Sequence, residues 1–223
     1  GLGISEGTAI LEEIQASGCN GGACHAQMYT MGTVLRHGSE TQKKMVLPGI
    51  ASGELRLQAF GVTEPTSGTD TSRIRTTAVK DGNSAYVVNG QKVWTSGAAT
   101  AEYGMLVART NWDVPKHQGI SFFFCPMKQS GIEVRPLKQI TNESHFNEVF
   151  ITDATVPAEN ILGAPGMGWQ VLNMALAYER SSMGEGARGP RSGVKQASKE
   201  EPLISLAREA SRLDEPHLRQ QIA

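Results

Sequence analysis

The segment from Phe60 to Asp70 carries residue types that suit the binding of a phosphate-containing ligand. A strand-like run ends there in a turn crowded with hydroxyl side chains around Gly68. Backbone N–H groups and hydroxyls can bond the pyrophosphate of a dinucleotide cofactor without a buried fixed charge. The alternative interpretation is a hydroxyl-stabilised turn that caps the edge of a sheet.

A second segment, Asn89 to Gly97, places an aromatic plane, Trp94, directly before the hydroxyls of Thr95 and Ser96. The dipeptide Asn89-Gly90 between strand-like residues predicts a β-hairpin turn. On the outgoing strand, Trp94 would then pack near a flat ligand ring. The alternative is a tryptophan of the core or of a cross-strand pair, which is its commoner role in strands.

The elements that must position these segments change character along the chain. Residues 1–57 have a helical pattern that includes a capping box, Ser39-x-x-Gln42. Residues 58–157 contain short runs of period two, which predict an antiparallel barrel or sandwich. Helical periodicity returns within residues 158–223. The sequence therefore predicts an α+β fold: the end of an N-terminal helical domain, a middle β-domain, and the start of a C-terminal helical bundle.

Within the last part, the helical pattern extends through Met183. Residues 184–199 are rich in Gly, Ser and basic residues, which indicates a mobile connection. Pro202, a favoured first helical residue, predicts the start of another helix.

Composition excludes several classes of protein. A net charge of -1, from 21 basic and 22 acidic residues, gives no basic surface for nucleic acid or an anionic membrane. The three cysteines are interpreted as free thiols in a reducing compartment, and the spacing of Cys19, Cys24 and His25 matches no common zinc site, so we expect no metal. Without an apolar run of about 20 residues, we expect a cytoplasmic protein that does not span a membrane, with the mitochondrial matrix not excluded. Because the chain starts without Met and ends in mid-pattern, we expect a fragment of a longer protein.

The two segments together resemble the acyl-CoA dehydrogenase family. Its middle β-domain carries Thr-Glu-Pro-x-x-Gly-[Ser/Thr]-Asp and then Asn-Gly-x-Lys-x-Trp-[Ile/Thr]-[Thr/Ser], and both patterns occur here in that order. Residues 37–43 are similar to the family's helical lead-in, and residues 156–169 to its exit into the C-terminal domain. The resemblance covers residues 36–183.

This resemblance implies a flavoprotein that binds FAD. The implied cofactor-binding residues are Phe60, Val62, Thr63, Gly68, Thr69, Trp94, Thr95 and Ser96. Thr69 stands where the family usually has Ser, and Ser96 where many members have a Thr that bonds flavin N5; both changes keep a hydroxyl. Asp70 and Arg75 are left out of the catalytic set, since a charge at a turn or on an exposed strand more often stabilises the surface.

The implied reaction is the α,β-dehydrogenation of an acyl-CoA thioester, in which a glutamate removes the α-proton while hydride passes to flavin N5. The candidate base is Glu179, because some family members carry the base immediately before the arginine that Arg180 matches. Other members carry it nearer the C-terminus, beyond this chain. A solvent-exposed helical glutamate paired with a basic neighbour is a further alternative. Thr69, Tyr178 and Arg180 are the candidate substrate-binding residues.

The same resemblance implies fatty acid metabolism, electron transfer to an electron-transferring flavoprotein, and a homodimer or homotetramer. Several alternatives stay open. An acyl-CoA oxidase and a flavin monooxygenase share the fold, and the chain would also suit a catalytically inactive subunit of a heteromeric dehydrogenase. A binding module without chemistry is the alternative from another class.

Overall fold

The computed structural model describes residues 3–19, 21–57, 59–187 and 201–222. Contacts divide the chain into two compact units, Gly1–Met183 and Gly184–Ala223. The first unit begins with three helices, which confirms the predicted helical segment: α1 (Ile4–Ala16), α2 (Gly22–His37) and α3 (Glu40–Ser52).

The predicted capping box at the start of α3 is confirmed. The Ser39 hydroxyl accepts from the Gln42 main-chain N–H at 3.2 Å, and the Gln42 side-chain oxygen accepts from the Ser39 main-chain N–H at 2.9 Å. The Gln42 side-chain NH₂ also donates to the main-chain oxygens of Glu159 and Ile161, each at 2.8 Å. The cap therefore fixes the helix start and ties it to the segment after the sheet.

Seven strands form one mixed sheet in the middle of the chain. They are β1 (Ala59–Gly61), β2 (Thr77–Asp81), β3 (Ala85–Ser96), β4 (Tyr103–Arg109), β5 (Ile120–Pro126), β6 (Ile132–Leu137) and β7 (Phe146–Pro157). Their order is β1-β4-β2-β3-β7-β6, with β5 also paired to β4. The α+β class is confirmed. The sheet is mixed rather than wholly antiparallel because the short strands β1 and β2 both lie parallel to β4.

The predicted hairpin turn at Asn89-Gly90 is wrong, since β3 runs through both residues. A register shift lies between Val88 and Gly90 where β3 pairs with β7, which marks a bulge. A Cβ added to Gly90 would lie 2.7 Å from the Cα of Thr76. This glycine therefore permits a close backbone approach inside a strand. An Asn-Gly pair is found at such positions as well as in tight turns, so the pair alone does not distinguish them.

The apolar runs of β4 and β5 are buried on both faces of the sheet. Alternate residues separate into two cores, as period-two geometry requires. Leu106 and Phe123 pack inside the β-domain, whereas Met105 and Phe122 pack towards the helices. Each buried Phe contributes about 2–3 kcal/mol, an upper estimate because the unfolded chain also buries apolar surface.

After the sheet, α4 (Gly168–Ala187) follows the glycine-rich loop. It continues through residues 184–187, so the predicted connection is wrong there; residues 188–199 lie outside the described part. The second unit contains α5 (Glu201–Glu209) and α6 (Pro216–Ile222), and α5 confirms the helix predicted at Pro202. The three-part domain division at residues 57/58 and 157/158 stays a prediction.

Candidate functional site

The hydroxyl-rich turn after β1 is folded by its own hydrogen bonds. Backbone bonds in both directions join Glu64 and Ser67, at 2.9 and 3.1 Å. The Ser67 hydroxyl donates to the main-chain oxygen of Asp70 at 2.7 Å. These bonds use Ser67 inside the turn, as the turn interpretation expects, while Gly68 and Thr69 remain exposed and accessible to a ligand.

Asp70 and Arg75 occupy structural positions. The Asp70 carboxylate accepts from the main-chain N–H and the hydroxyl of Ser72, which caps a short 3₁₀ turn at Thr71–Arg73. The Ser72 hydrogen bond is the main reason that the pKa of Asp70 lies below its ordinary value. The Arg75 side chain is exposed. Their exclusion from the catalytic set is consistent with these contacts.

Trp94 lies at an irregularity of β3 in an unusual conformation. Its φ is +60°, in the left-handed region that bulky residues rarely adopt. The pairing register with β7 shifts between Lys92 and Thr95. The side chain is 57% exposed and its ring meets Phe146 edge to face, with centroids 6.0 Å apart. Strained residues of this kind cluster at functional sites, and this bulge presents a flat ring at the surface.

The two residues after Trp94 differ in their exposure. The Thr95 side chain is 1% exposed and lines a small cavity inside the β-domain. Its Oγ1 has no hydrogen-bond partner among the described residues. Ser96 is half-buried. Contact between Thr95 and a ligand lying on Trp94 would therefore come from the Thr95 main chain, and the binding roles of Thr95 and Ser96 stay predictions.

The fold brings the two predicted cofactor segments side by side. The Val93 N–H donates to the Thr63 main-chain oxygen at 2.9 Å. The Lys92 ammonium donates to the main-chain oxygen of Val62 at 3.2 Å and to the Glu64 carboxylate at 2.8 Å. The end of β1 and the bulge of β3 thus form one local surface. The sequence predictions did not include the Glu64–Lys92 pair, although a lysine in an alternating apolar strand was a signal for it.

Both side chains of the Glu64–Lys92 pair are buried. Burial lowers the pKa of Lys92 from 10.5 to about 8, and the Glu64 charge opposes that shift. Burial raises the pKa of Glu64, but the Lys92 charge and several hydrogen bonds outweigh burial, so its pKa is lowered overall. The Lys92 charge and these hydrogen bonds therefore favour an ionised Glu64 carboxylate, whereas burial favours the uncharged amine of Lys92.

The second part of the candidate site lies between α2 and α4. Tyr178 packs on Gly32 of α2 so closely that a Cβ there would lie 3.0 Å from the ring. His25 Nε2 lies 3.3 Å from the main-chain oxygen of Glu179. Because a carbonyl oxygen only accepts, this contact places the proton on Nε2. Glu179 is half-buried and Arg180 is exposed.

An aromatic row extends from this helix pair to the sheet. The Tyr29 ring lies 5.4 Å from the His25 ring and 5.5 Å from the Phe60 ring, and Phe60 lies 6.3 Å from Phe122, all measured between centroids. Burial, with a smaller effect from the Glu179 charge, raises the pKa of Tyr29 to about 12. The structure thus places Glu179 beside a row that includes Phe60, one of the predicted cofactor residues.

His25 and Tyr29 were absent from the predicted site. Their spacing of four residues puts them on one face of α2, which was the available signal. Among the described residues, no group of His, Cys, Asp and Glu side chains could hold a metal ion. The helices in the described ranges include none with the length and apolarity needed to cross a membrane.

Comparison with known proteins gives consistent matches along the chain. Residues 1–54 match the acyl-CoA dehydrogenase N-terminal domain, and residues 59–154 match the acyl-CoA dehydrogenase middle domain. The acyl-CoA dehydrogenase IpdE1 of Mycolicibacterium smegmatis is 34% identical, over 100% of this chain and 58% of that protein. The acyl-CoA dehydrogenase FadE34 of Mycobacterium tuberculosis is 43% identical, over 69% of this chain and 21% of that protein.

A solved structure agrees with these matches. The protein named Tcur3481-Tcur3483 steroid ACAD is 31% identical with a TM-score of 0.80, over 100% of this chain and 55% of that chain. This chain therefore spans a little over half the length of IpdE1 and of this structure. Two consecutive domains of one family, in the order found in its members, show that the chain belongs to the acyl-CoA dehydrogenase family.

Proposed function

We propose that the whole protein is an FAD-dependent enzyme that dehydrogenates an acyl-CoA thioester between its α and β carbons. The observation that carries this proposal is the position of Glu179, half-buried on α4 and next to the aromatic row that leads to Phe60. A carboxylate in a partly desolvated aromatic setting suits the abstraction of a proton from carbon.

The residues at the β1 turn and the β3 bulge fit a flavin. Trp94 offers an exposed ring held in a strained conformation, and the adjoining turn offers the exposed N–H groups and hydroxyl of Gly68 and Thr69. Cofactor contacts are proposed for Phe60, Val62, Thr63, Gly68, Thr69, Trp94, Thr95 and Ser96. FAD, when bound, would supply an acceptor for the β-hydrogen and its electron pair.

The protein's own side chains would supply the base and orient the substrate. Glu179 would take the α-proton, so the electron pair of that C–H bond forms the new double bond as hydride leaves the β carbon. Tyr178, Arg180 and Thr69 would orient the thioester substrate. Helix packing supports Glu179, since Tyr178 rests on Gly32 and His25 bonds the Glu179 main chain.

An anaerobic titration of the whole protein with a panel of acyl-CoA thioesters tests this function. We expect flavin absorbance near its visible maximum to bleach with at least one thioester. Rapid reoxidation by air with release of peroxide would instead indicate an oxidase. Bound flavin that no thioester bleaches would indicate a catalytically inactive subunit, and the absence of flavin from the purified protein would contradict the proposal.

The name of one solved structure suggests a steroid-type substrate, and the names of two suggest a second protein chain. The structure at 31% identity is named a steroid ACAD of two proteins, and another, at 34% identity with a TM-score of 0.62, is named the ChsE4-ChsE5 complex from Mycobacterium tuberculosis. We therefore propose steroid-type acyl-CoA thioesters as the first to test. We also propose that the whole protein forms an oligomer, either a heteromer or the homodimer or homotetramer expected from the sequence. Electron-transferring flavoprotein is the proposed acceptor of the electrons.

The native mass, measured by light scattering with and without a co-expressed second acyl-CoA dehydrogenase chain, tests the assembly. A monomer under both conditions would contradict it.

A further inference from the structure

A buried ion pair in the β-domain has no part in the reaction described above. Lys92 is 0% exposed and Glu64 is 5% exposed, and the Lys92 Nζ lies 2.8 Å from Glu64 Oε1. Glu64 belongs to the turn after β1, and Lys92 to β3 just before the bulge. Each partner therefore sits inside one of the two segments to which we assign the cofactor.

The Glu64 carboxylate accepts hydrogen bonds from the main chain that leads into β2. Its Oε2 accepts from the Arg75 main-chain N–H at 2.6 Å, and its Oε1 accepts from the Thr76 main-chain N–H at 2.9 Å. A single carboxylate thus joins the turn to the chain that enters β2. Oε1 also accepts from Lys92, so it links both of these pieces to β3.

Lys92 bonds the main chain directly after β1. Its ammonium donates to the Val62 main-chain oxygen at 3.2 Å, and the next residue, Val93, donates its N–H to the Thr63 oxygen at 2.9 Å. Two consecutive residues of β3 are therefore bonded to two consecutive residues after β1. The residue that follows them is Trp94, whose φ of +60° has to be imposed by its surroundings.

A buried ion pair is weak evidence for stability, because desolvation opposes the attraction between the charges. Apolar residues of similar volume often stabilise a fold equally well. Directed bonds to main-chain atoms do what apolar packing cannot: they fix the register of one segment against another. Lys92 lies two residues before Trp94, which is exposed and strained, so this register also sets the position of the Trp94 ring.

We propose that Glu64 and Lys92 are positioning residues that hold the Thr63 turn and the Trp94 bulge in register, so that their exposed groups form one flavin-binding surface. This inference rests on the proposed function, because it concerns the surface to which FAD is assigned. Arg109 is also buried, and it donates to the main-chain oxygens of Ser72 and Ile74. Arg109 therefore holds the next stretch of chain rather than the Trp94 bulge.

The test compares Lys92→Met, Glu64→Gln and the double variant in the whole protein. Lys128→Met is the matched control, since Lys128 pairs with Glu102 at 3.4 Å on the surface of the same domain. FAD affinity is measured by titrating the apoprotein, and the visible spectrum of bound flavin is recorded. Thermal unfolding of the apoprotein gives stability separately.

We expect each single variant to lower FAD affinity at least tenfold and to shift the flavin absorption bands, with the control within twofold of wild type. The double variant leaves no unpaired buried charge, so its unfolding temperature should recover while its FAD affinity stays low. Recovery of affinity together with stability would assign the pair a merely structural role and overturn the proposal.

A second measurement makes the test independent of the proposed function. In a background with Trp112→Phe and Trp169→Phe, the signal is taken as the difference from the same background with Trp94→Phe added, so that any tryptophan outside this chain cancels. This difference isolates Trp94. Its near-ultraviolet circular dichroism in the apoprotein should weaken in the double variant and persist in the control. An unchanged signal would overturn the proposal, whereas a wild-type protein that retains no FAD would refute the proposed function and leave this signal to decide the positioning role.

Discussion

Lys92 is a lysine in an interior where lysine is rarely found, and its burial gives the β-domain a pH dependence. Its pKa falls from 10.5 in the unfolded chain to about 8 in the fold. Between these values the unfolded chain binds more protons, so the free energy of unfolding rises with pH. This contribution is fully present above pH 10.5, is lost as pH falls through 8, and amounts to about 3 kcal/mol at most.

Urea unfolding of wild type and Lys92→Met between pH 7.5 and 10.5 checks this expectation. The difference between the two proteins is the relevant quantity, because burial raises the pKa of Cys125 from 9.0 to about 12 and destabilises both proteins as pH rises above 9. Wild type should gain stability relative to Lys92→Met across the window. A difference that stays constant or shrinks with pH would show that Lys92 titrates normally in the fold.

Trp94 and Thr69 are the exposed residues with the clearest predicted contact to the cofactor. Replacing both by alanine removes a flat ring and a hydroxyl from the binding surface, and we expect FAD affinity to fall roughly tenfold or more, about 1.4 kcal/mol. Trp112→Ala is the control, since Trp112 is also exposed but lies against Arg109, 4.7 Å from its guanidinium carbon. Equal flavin content in the double variant and wild type after gel filtration would contradict the assignment.

Gly90 permits the close approach of β3 to the chain that leads into β2. A Cβ at this position would lie 2.7 Å from the Cα of Thr76, which is too close for any side chain. Gly90→Ala should therefore lower the free energy of unfolding by about 2–3 kcal/mol. Gly68→Ala is the control, because its Cβ would meet the Thr63 methyl at an ordinary 3.8 Å. Comparable stability of the two variants would show that β3 and the Thr76 segment can move apart without cost.

The same elements show how far local sequence information reaches. The capping box at Ser39 could be predicted because both of its partners lie within three residues. The Asn89-Gly90 prediction failed because the deciding contact, with the Thr76 backbone, comes from the segment directly before β2, which is distant in sequence. Period-two alternation identified the β-domain, but the parallel pairing of β1 with β4 depends on long-range topology that alternation does not encode.

The candidate site is assembled from distant parts of the chain. His25 contacts Glu179 across 154 residues, and Lys92 contacts Glu64 across 28 residues. The family motifs located Trp94, Thr69 and Glu179 in the sequence. They did not locate His25, because the side chains that surround Glu179 are set by helix packing rather than by a motif.

Glu179→Gln in the whole protein tests whether Glu179 removes the α-proton, as we propose. Glutamine keeps the size and hydrogen-bonding capacity of the side chain but cannot take the proton. Glu12→Gln, on the exposed face of α1, is the matched control. The measurement is the anaerobic rate of flavin bleaching by the best acyl-CoA in stopped flow. We predict that Glu179→Gln slows bleaching by about 100-fold or more while FAD stays bound and the control keeps the wild-type rate. Bleaching of Glu179→Gln at a near wild-type rate would place the base elsewhere.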